Sequence, residues 1–165
     1  MTVRPGWQGR YFEDFEVGDV YEHGLGRTIT QADNIWFTLL TQNTARLHFD
    51  AHYASQTEFG RPVVNSAFTI ALVTGQSVND VSYNVMANLG WDEVRLPSPL
   101  FEGDTVYSSS EVVSLRESRS RSEVGIVKVR TTGTNERGIA VITFYRTVMV
   151  YRRGFGPSHG PTAGA

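Results

Sequence analysis

One apolar segment constrains the fold more than any other feature of the chain. Seven apolar residues between Ala67 and Val78 are spaced so that they cover nearly the full circumference of a helix. Asn65 or Ser66, either of which can cap a helix N-terminus, stands directly before the segment. Because a helix that is apolar on all sides must be buried, the rest of the chain has to enclose it.

The residues after this helix follow strand patterns almost throughout. The predicted strands of the whole chain cover residues 20–29, 83–96, 105–115, 124–134 and 139–152. The side-chain alternation of the second strand changes parity near Asp92, which predicts a bulge there. A buried helix followed by consecutive antiparallel strands is an α+β arrangement.

The chain predicts two shorter helices before the apolar one. Thr30-Gln-Ala-Asp33 resembles a capping box, with Asp in place of the usual Glu. Apolar residues then follow at helical spacing, at Ile35, Trp36, Leu39 and Leu40. This helix leads to Asn43, and a short second helix is predicted at 48–55.

Length and charge narrow the class of protein. The 165 residues fit one domain with a real core, predicted at 8–153 and followed by a flexible Gly/Pro-rich tail at 154–165. The formal net charge of −2 argues against general binding to nucleic acids or anionic membranes. The chain has no cysteine, which excludes disulfides and thiolate zinc sites. No secretory signal or membrane-spanning segment is visible, so a cytoplasmic location is expected.

A polar loop and a turn carry the candidate chemistry. The loop, Thr41-Gln-Asn-Thr-Ala-Arg-Leu-His-Phe-Asp50, contains the amide Asn43 and the imidazole His48. The turn, Phe59-Gly-Arg-Pro-Val-Val-Asn-Ser66, leads into the apolar helix. Imidazole is suited to proton transfer near neutral pH, and a helix N-terminus has free N–H groups that stabilise an oxyanion. The two segments therefore predict a proton-transfer group beside a helix N-terminus.

These segments resemble the MaoC-like hydratases, the R-specific enoyl-CoA hydratases of the hotdog fold. The motif of that family reads roughly Gly-Asp-x-Asn-Pro-x-His-x-Asp, followed by a Phe-x-x-Pro-Ile-x-His-Gly-type turn. His48 and Asp50 match it, whereas Asn43 stands at the position of the catalytic Asp. Asn65-Ser66 replaces the His-Gly pair. These departures, together with the segment Trp91–Asp104, resemble the branch that acts on mesaconyl-, methylmalyl- or itaconyl-CoA.

The resemblance implies a hotdog fold, in which an antiparallel sheet wraps around a central buried helix, and the reversible hydration of an enoyl-CoA. It makes His48 the acid–base residue, while Asn43 positions the water. Ser66 and Asn65 would polarise the thioester or contact the substrate, and Arg46 would pair with a carboxylate of a dicarboxylic acyl group. Coenzyme A enters only as part of the substrate, with no cofactor or metal. At least a homodimer is expected, since an open sheet exposes edge strands.

Other functions stay open from the sequence. A hotdog thioesterase would use a carboxylate near the same helix, for which Asp50 is the candidate. A non-catalytic acyl-CoA-binding protein would account for the missing acid of the motif. His48 and His52 have the i, i+4 spacing of zinc-binding helices, but no Glu follows the first of them. The other histidines are His23 and His159, and the tail residue is a poor third ligand.

Overall fold

One antiparallel sheet and one long helix dominate the computed structural model, which describes residues 2, 4 and 6–158. The strands are β1 Val20–Thr28, β2 Val85–Arg95, β3 Thr105–Glu117, β4 Val124–Asn135 and β5 Ala140–Tyr151. The α-helices are α1 Gln31–Leu40, α2 Ala51–Ala54 and α3 Ser66–Gln76. Short 3₁₀ turns lie at Phe12–Asp14 and Arg46–His48, and a π-helix lies at Val78–Ser82. The predicted α+β arrangement is confirmed.

The order of the strands leaves β1 and β2 at the two edges of the sheet. The spatial order is β1-β3-β4-β5-β2, and all neighbours are antiparallel. The pairing of β1 shifts between His23 and Arg27, where two glycines lie. The pairing of β2 shifts between Asp92 and Arg95, which confirms the predicted bulge. Such irregularities increase strand twist and let a sheet curve around a helix.

Helix α3 packs with one side against the sheet. Val73 is fully buried and belongs to a cluster with Ile142 and Phe144 of β5. Gly133 of β4 permits this close approach, because an added Cβ there would lie 2.9 Å from Cγ2 of Val73. The close packing fixes the height of α3 above the sheet, and with it the place of the helix N-terminus.

The other side of α3 is exposed in the single chain. Ala67, Ala71 and Gly75 lie on this side, and the exposed Val78 follows at the start of the π-helix. The prediction that the helix is buried on all sides therefore holds for the sheet side only. Since most of these residues are small, the exposed stripe leaves the helix open to close approach by another surface.

The helices before α3 differ in detail from the predictions. The capping box is confirmed, since Thr30 Oγ1 accepts the N–H of Asp33 and the Thr30 N–H donates to the Asp33 carboxylate. The single helix predicted at 48–55 is wrong. Its start belongs to a 3₁₀ turn that ends at His48, and α2 begins only after Asp50, whose carboxylate caps it.

The ends of the chain bear on two further predictions. None of the helices within the described residues is long and apolar enough to cross a membrane. The first part of the predicted tail, residues 154–158, is exposed. Residues 159–165, including His159, lie outside the described residues, and the division into a domain at 8–153 and a flexible tail stays a prediction.

Candidate active site

His48 presents one free ring nitrogen. Its Nδ1 lies 2.8 Å from the carbonyl oxygen of Val63. Because a carbonyl oxygen can only accept, Nδ1 carries the proton, and the neutral ring has its lone pair on Nε2. Nε2 has no hydrogen-bond partner among the residues that the structure describes. The half-buried imidazole is therefore arranged to accept a proton from a bound molecule.

Val63 joins the loop at residues 41–50, called here the histidine loop, to helix α3. Its N–H donates to the carbonyl oxygen of Leu47 over 3.2 Å, and its own carbonyl oxygen holds the ring of His48. Three residues later, Ser66 begins α3. These bonds attach the His48 ring to the segment that leads into α3, and the catalytic role of this pair stays a prediction.

Asn34 of α1 forms hydrogen bonds with both the histidine loop and the segment that leads into α3. It is 2 % exposed, and its Nδ2 donates to the carbonyl oxygens of His48, over 2.9 Å, and Val63, over 3.1 Å. Its Oδ1 accepts the N–H of Asn65 over 2.9 Å. Sequence reasoning missed Asn34. The available signal was its spacing of four residues from Thr38, since a polar pair one helical turn apart marks a polar stripe on an otherwise apolar helix.

The N-terminus of α3 has two free amides. The Asn65 side chain caps the helix by accepting the N–H of Ala67 over 2.9 Å, as the sequence predicted. The N–H groups of Ser66 and Phe68 have no acceptor among the described residues. Together with the partial positive charge of the helix N-terminus, they can stabilise a negative oxygen.

The structure does not support direct substrate contact by Asn65. Its side chain is buried, with 2 % of the residue exposed. Its Oδ1 is bound to Ala67, and its Nδ2 donates to Oγ1 of Thr38 over 3.1 Å. Both ends of the amide are thus used inside the protein, so Asn65 shapes the helix N-terminus without reaching a ligand. Ser66 remains exposed at this position.

A pocket of about 210 Å³ opens beside Ser66. Most of its lining side chains are apolar: Phe59, Val63, Val64, Leu96, Pro99, Leu100 and Val141. Its volume is below the roughly 300–1,000 Å³ of pockets for drug-sized ligands. The pocket is therefore large enough only for a small, mostly apolar group beside Ser66.

Asn43 lies in the loop after α1 and is half-buried. Its Oδ1 accepts the N–H of Ala45 over 2.9 Å, and its own N–H donates to the carbonyl oxygen of Thr38 over 3.0 Å. The side-chain NH₂ has no acceptor among the described residues. The residue can therefore donate a hydrogen bond to a water molecule while its oxygen holds the loop.

Arg46 is already bound to an acid. Its Nε and Nη2 donate to one carboxylate oxygen of Asp50 over 2.9 and 2.6 Å, and its guanidinium lies 4.8 Å from the ring centre of Tyr53. The backbone N–H of Tyr53 and then Arg46 hold the pKa of Asp50 below its usual range. A substrate carboxylate would have to compete with Asp50 for Arg46, and that predicted role stays a prediction.

The spacing of His48 and His52 does not place them on one helix. His48 ends the 3₁₀ turn, whereas His52 lies in α2. Within residues 2, 4 and 6–158, no group of three or more histidines or acidic residues is arranged to hold a metal ion.

Another histidine, His23, belongs to a polar cluster outside the histidine loop. Nδ1 of His23 is 2.9 Å from Asp80, and its Nε2 is 2.9 Å from Oγ of Ser110. These distances resemble a nucleophilic triad, but Ser110 is fully buried and also bonds to Thr131. Burial tends to raise the pKa of Asp80, but hydrogen bonds from His23 and Arg10 outweigh it, so this pKa lies below its usual range. The cluster is a polar network in which His23 and Ser110 are buried and Asp80 is half-buried.

Comparison with known families decides where the chain belongs. The family model described as mesaconyl-CoA hydratase matches residues 4–163, nearly the whole chain. The chain belongs to the mesaconyl-CoA hydratase family. The predicted resemblance to the MaoC-like hydratases and to their mesaconyl-CoA branch is confirmed.

Two curated relatives agree with the mesaconyl-CoA hydratase family. The mesaconyl-CoA hydratase of Cereibacter sphaeroides is 35% identical over 155 residues, which are 93% of this chain and 45% of that protein. The β-methylmalyl-CoA dehydratase of Chloroflexus aurantiacus is 32% identical over 145 residues, covering 88% of this chain and 41% of that protein. The chain therefore spans less than half the length of these curated relatives.

Solved structures confirm the predicted hotdog fold. A putative MaoC domain dehydratase from Chloroflexus aurantiacus matches with a TM-score of 0.86 and 29% identity, over 98% of this chain and 46% of that one. A conserved Mycobacterium tuberculosis protein, described as a double hotdog fold, matches with a TM-score of 0.80 and 26% identity. That match covers 92% of this chain and 47% of the other. This chain thus corresponds in length to about half of each solved protein.

Proposed function

We propose that the protein is an acyl-CoA hydratase and dehydratase, a hydro-lyase that adds water reversibly to the double bond of an enoyl-CoA. The observation that carries the proposal is the arrangement of His48, with Nδ1 bound to Val63 and Nε2 free, beside the N-terminus of α3. Hydration of an enoyl thioester needs a base for the proton of water and a site for the charge that moves to the thioester oxygen. Both requirements are met by these groups.

The proposed reaction uses these groups in the following steps. Nε2 of His48 takes a proton from water as the water oxygen bonds to the β-carbon. The electrons of the double bond move toward the thioester oxygen, which the free N–H groups of Ser66 and Phe68 stabilise. The imidazolium returns its proton to the α-carbon, so no proton is gained or lost. Asn43 donates its NH₂ to the water oxygen and orients it.

We further propose a short, branched, dicarboxylic substrate, with mesaconyl-CoA first and itaconyl-CoA second. The names of the two curated relatives and the small apolar pocket beside Ser66 support this choice. A substrate carboxylate needs a cation, and two arginines lie in these segments. Arg46 is paired with Asp50, whereas the guanidinium of Arg61 lies 3.9 Å from the Phe101 ring centre.

Arginine variants separate these two candidates. Arg61 has no carboxylate partner among the described residues, so it is free to bind one. The arginine that binds the substrate carboxylate should, when changed to Ala, lower kcat/KM for mesaconyl-CoA far more than for crotonyl-CoA, which lacks that carboxylate. Equal losses for both substrates in both variants would speak against carboxylate binding by either residue.

The thioesterase alternative has weaker support. Its candidate acid, Asp50, caps α2 through the N–H of Tyr53 and pairs with Arg46. Both partners bind the carboxylate oxygens of Asp50. The carboxylate is therefore poorly placed to activate water or to attack a thioester.

One set of assays decides between these functions. Purified protein is mixed with crotonyl-, mesaconyl- and itaconyl-CoA. Loss of the enoyl absorbance without thiol release is the expected result and supports the hydratase. Thiol release would indicate a thioesterase. Binding without either change would indicate a non-catalytic acyl-CoA-binding protein, and the hydratase proposal would then fail.

We also propose a homodimer or a dimer-based oligomer. The exposed side of α3 and the edge strand β2, where Leu89 and Trp91 are 51% and 44% exposed, offer apolar surface to a second hotdog unit.

A cytoplasmic location stays a prediction. Independence from metals and cofactors also stays a prediction, and hydratase activity that survives dialysis against a chelator would support it.

A further inference from the structure

Asn34 binds the main chain of two separate segments of the site. Its amide donates to the carbonyl oxygens of His48 and Val63 and accepts the N–H of Asn65. The residue is 2 % exposed, so water cannot replace these three bonds easily. Removal of the amide would leave two main-chain groups without this partner, the carbonyl oxygen of His48 on the histidine loop and the buried N–H of Asn65 on the segment that leads into α3.

The carbonyl oxygen of Val63 is shared between Asn34 and His48. It accepts one hydrogen bond from Nδ2 of Asn34 over 3.1 Å and another from Nδ1 of His48 over 2.8 Å. A carbonyl oxygen has two lone pairs, and Asn34 occupies one of them. This bond helps to orient the Val63 carbonyl, together with the bond from the Val64 N–H, in the same peptide plane, to the carbonyl oxygen of Leu100 over 2.8 Å. The remaining lone pair of the Val63 oxygen is directed at the imidazole. The hydrogen bond on one ring nitrogen decides which nitrogen keeps the lone pair.

We infer that Asn34 is a positioning residue: it holds the Val63 carbonyl so that His48 stays in the Nδ1–H tautomer with Nε2 free, next to the start of α3. Asn34 acts through Val63 and does not contact the reacting atoms. Its effect on turnover rests on the hydratase function proposed above, whereas its effect on the His48 tautomer does not.

Asn84 provides a matched control for this inference. It is also buried, at 5 % exposed, and its Nδ2 also donates to two backbone carbonyl oxygens. Those carbonyls belong to Gln8 and Arg10, in the N-terminal segment. Asn84→Leu therefore removes a similar pair of buried bonds without touching the histidine loop or the start of α3.

The test compares Asn34→Leu with Asn84→Leu in two measurements. The first is kcat and KM for mesaconyl-CoA. The second is ¹⁵N NMR of the imidazole nitrogens, in which the signals of His48 are identified by their absence from a His48→Gln variant. Asn34→Leu should lower kcat about 10- to 100-fold, the loss seen when hydrogen bonds that orient metal-binding histidines are removed, with a smaller change in KM. It should also convert His48 to a mixture of tautomers. Asn84→Leu should lose stability and keep the wild-type tautomer and kcat.

Clear results would overturn the inference. An unchanged His48 tautomer in folded Asn34→Leu does so, as does an equal loss of kcat in the two variants, because equal losses indicate general destabilisation. If Asn34→Leu does not fold, Asn34→Ser decides by the same measurements, since its short hydroxyl cannot span the three partners. If the wild type hydrates no enoyl-CoA, the proposed function fails, and the NMR comparison still decides the role of Asn34.

Discussion

Among single residues, His48 carries the largest predicted effect on activity. It is the predicted site residue that can exchange protons near neutral pH, and its Nε2 is free. His48→Ala should lower kcat by about 10²–10⁴-fold, the range for loss of a general acid–base group. Asn43→Ala should lower kcat by a smaller factor, because His48 can still transfer the proton. Hydration of mesaconyl-CoA is measured, with circular dichroism as the folding control. A folded His48→Ala protein with near-wild-type turnover would show that another group carries the proton.

Asn43→Asp tests the departure from the family motif. The carboxylate can still accept the N–H of Ala45, which now bonds to the amide oxygen, so the loop should keep its shape. The change restores the acid of the usual Asp–His pair and removes the NH₂ donor. We expect the variant to be at least as active as Asn43→Ala in the same hydration assay. Lower activity than Asn43→Ala would show that the reaction requires the NH₂ group and does not tolerate an acid there.

Helix α1 shows what the sequence could predict and what it could not. Its start, marked by Thr30 and Asp33, was correct because a capping box is local chemistry. Its apolar residues also fit a helix, yet Trp36 and Leu40 are 76% and 80% exposed, and the polar Asn34 is buried. Periodicity identifies an apolar face, but not the surface that covers it. In the single chain, the polar side of α1 faces inward because Asn34 forms hydrogen bonds with the main chain at 63–65.

The residues of the candidate site also differ in whether the sequence could indicate them. His48, Asn43 and Ser66 could be predicted because they stand in two short segments with a known family pattern. Asn34 lies outside that motif, and its partners are main-chain atoms 14 to 31 residues away. Backbone atoms leave no signature in a sequence, so the role of such a residue emerges only when the loops are placed in space.

The close contact between α3 and β4 predicts that a methyl group added at Gly133 lowers the stability of the fold. A Cβ at Gly133 would lie 2.8 Å from Ile142 and 2.9 Å from Val73, both inside the core. Gly133→Ala should therefore destabilise the protein by about 1–3 kcal/mol, as overpacking of a core typically does. Gly90→Ala is the matched control, since nothing lies within 4 Å of its added Cβ. Urea unfolding measures both variants, and equal stability of the two would contradict the close approach of α3.

Across the whole molecule, Asp80 ties the N-terminal segment and β1 to the π-helix, through Arg10 and His23. The pKa of Asp80 is depressed in the fold, where hydrogen bonds from these two partners outweigh the effect of burial. Its stabilising contribution is therefore complete above the unfolded-state pKa of about 3.9 and is lost as the pH falls through the lower folded-state value. Asp80→Asn should cost about 1–3 kcal/mol at pH 7. The difference from wild type should shrink in acid, and a gap in urea-unfolding stability that stays constant down to pH 3 would contradict this role.

The exposed side of α3 leads to a test of assembly. An apolar stripe of small residues on a central helix, beside an open edge strand, suits close packing against a second copy, and the solved double-hotdog relative is about twice as long as this chain. We expect light scattering at micromolar concentration to give twice the chain mass of 18.4 kDa. Ala71→Glu places a charge in the middle of the stripe, where burial without a partner is costly, and should shift the protein to monomer. Ala51→Glu makes the same change at the exposed start of α2 and should leave the dimer intact. A wild-type monomer, or a dimer that tolerates Ala71→Glu as well as Ala51→Glu, would show that this side of α3 is not the interface.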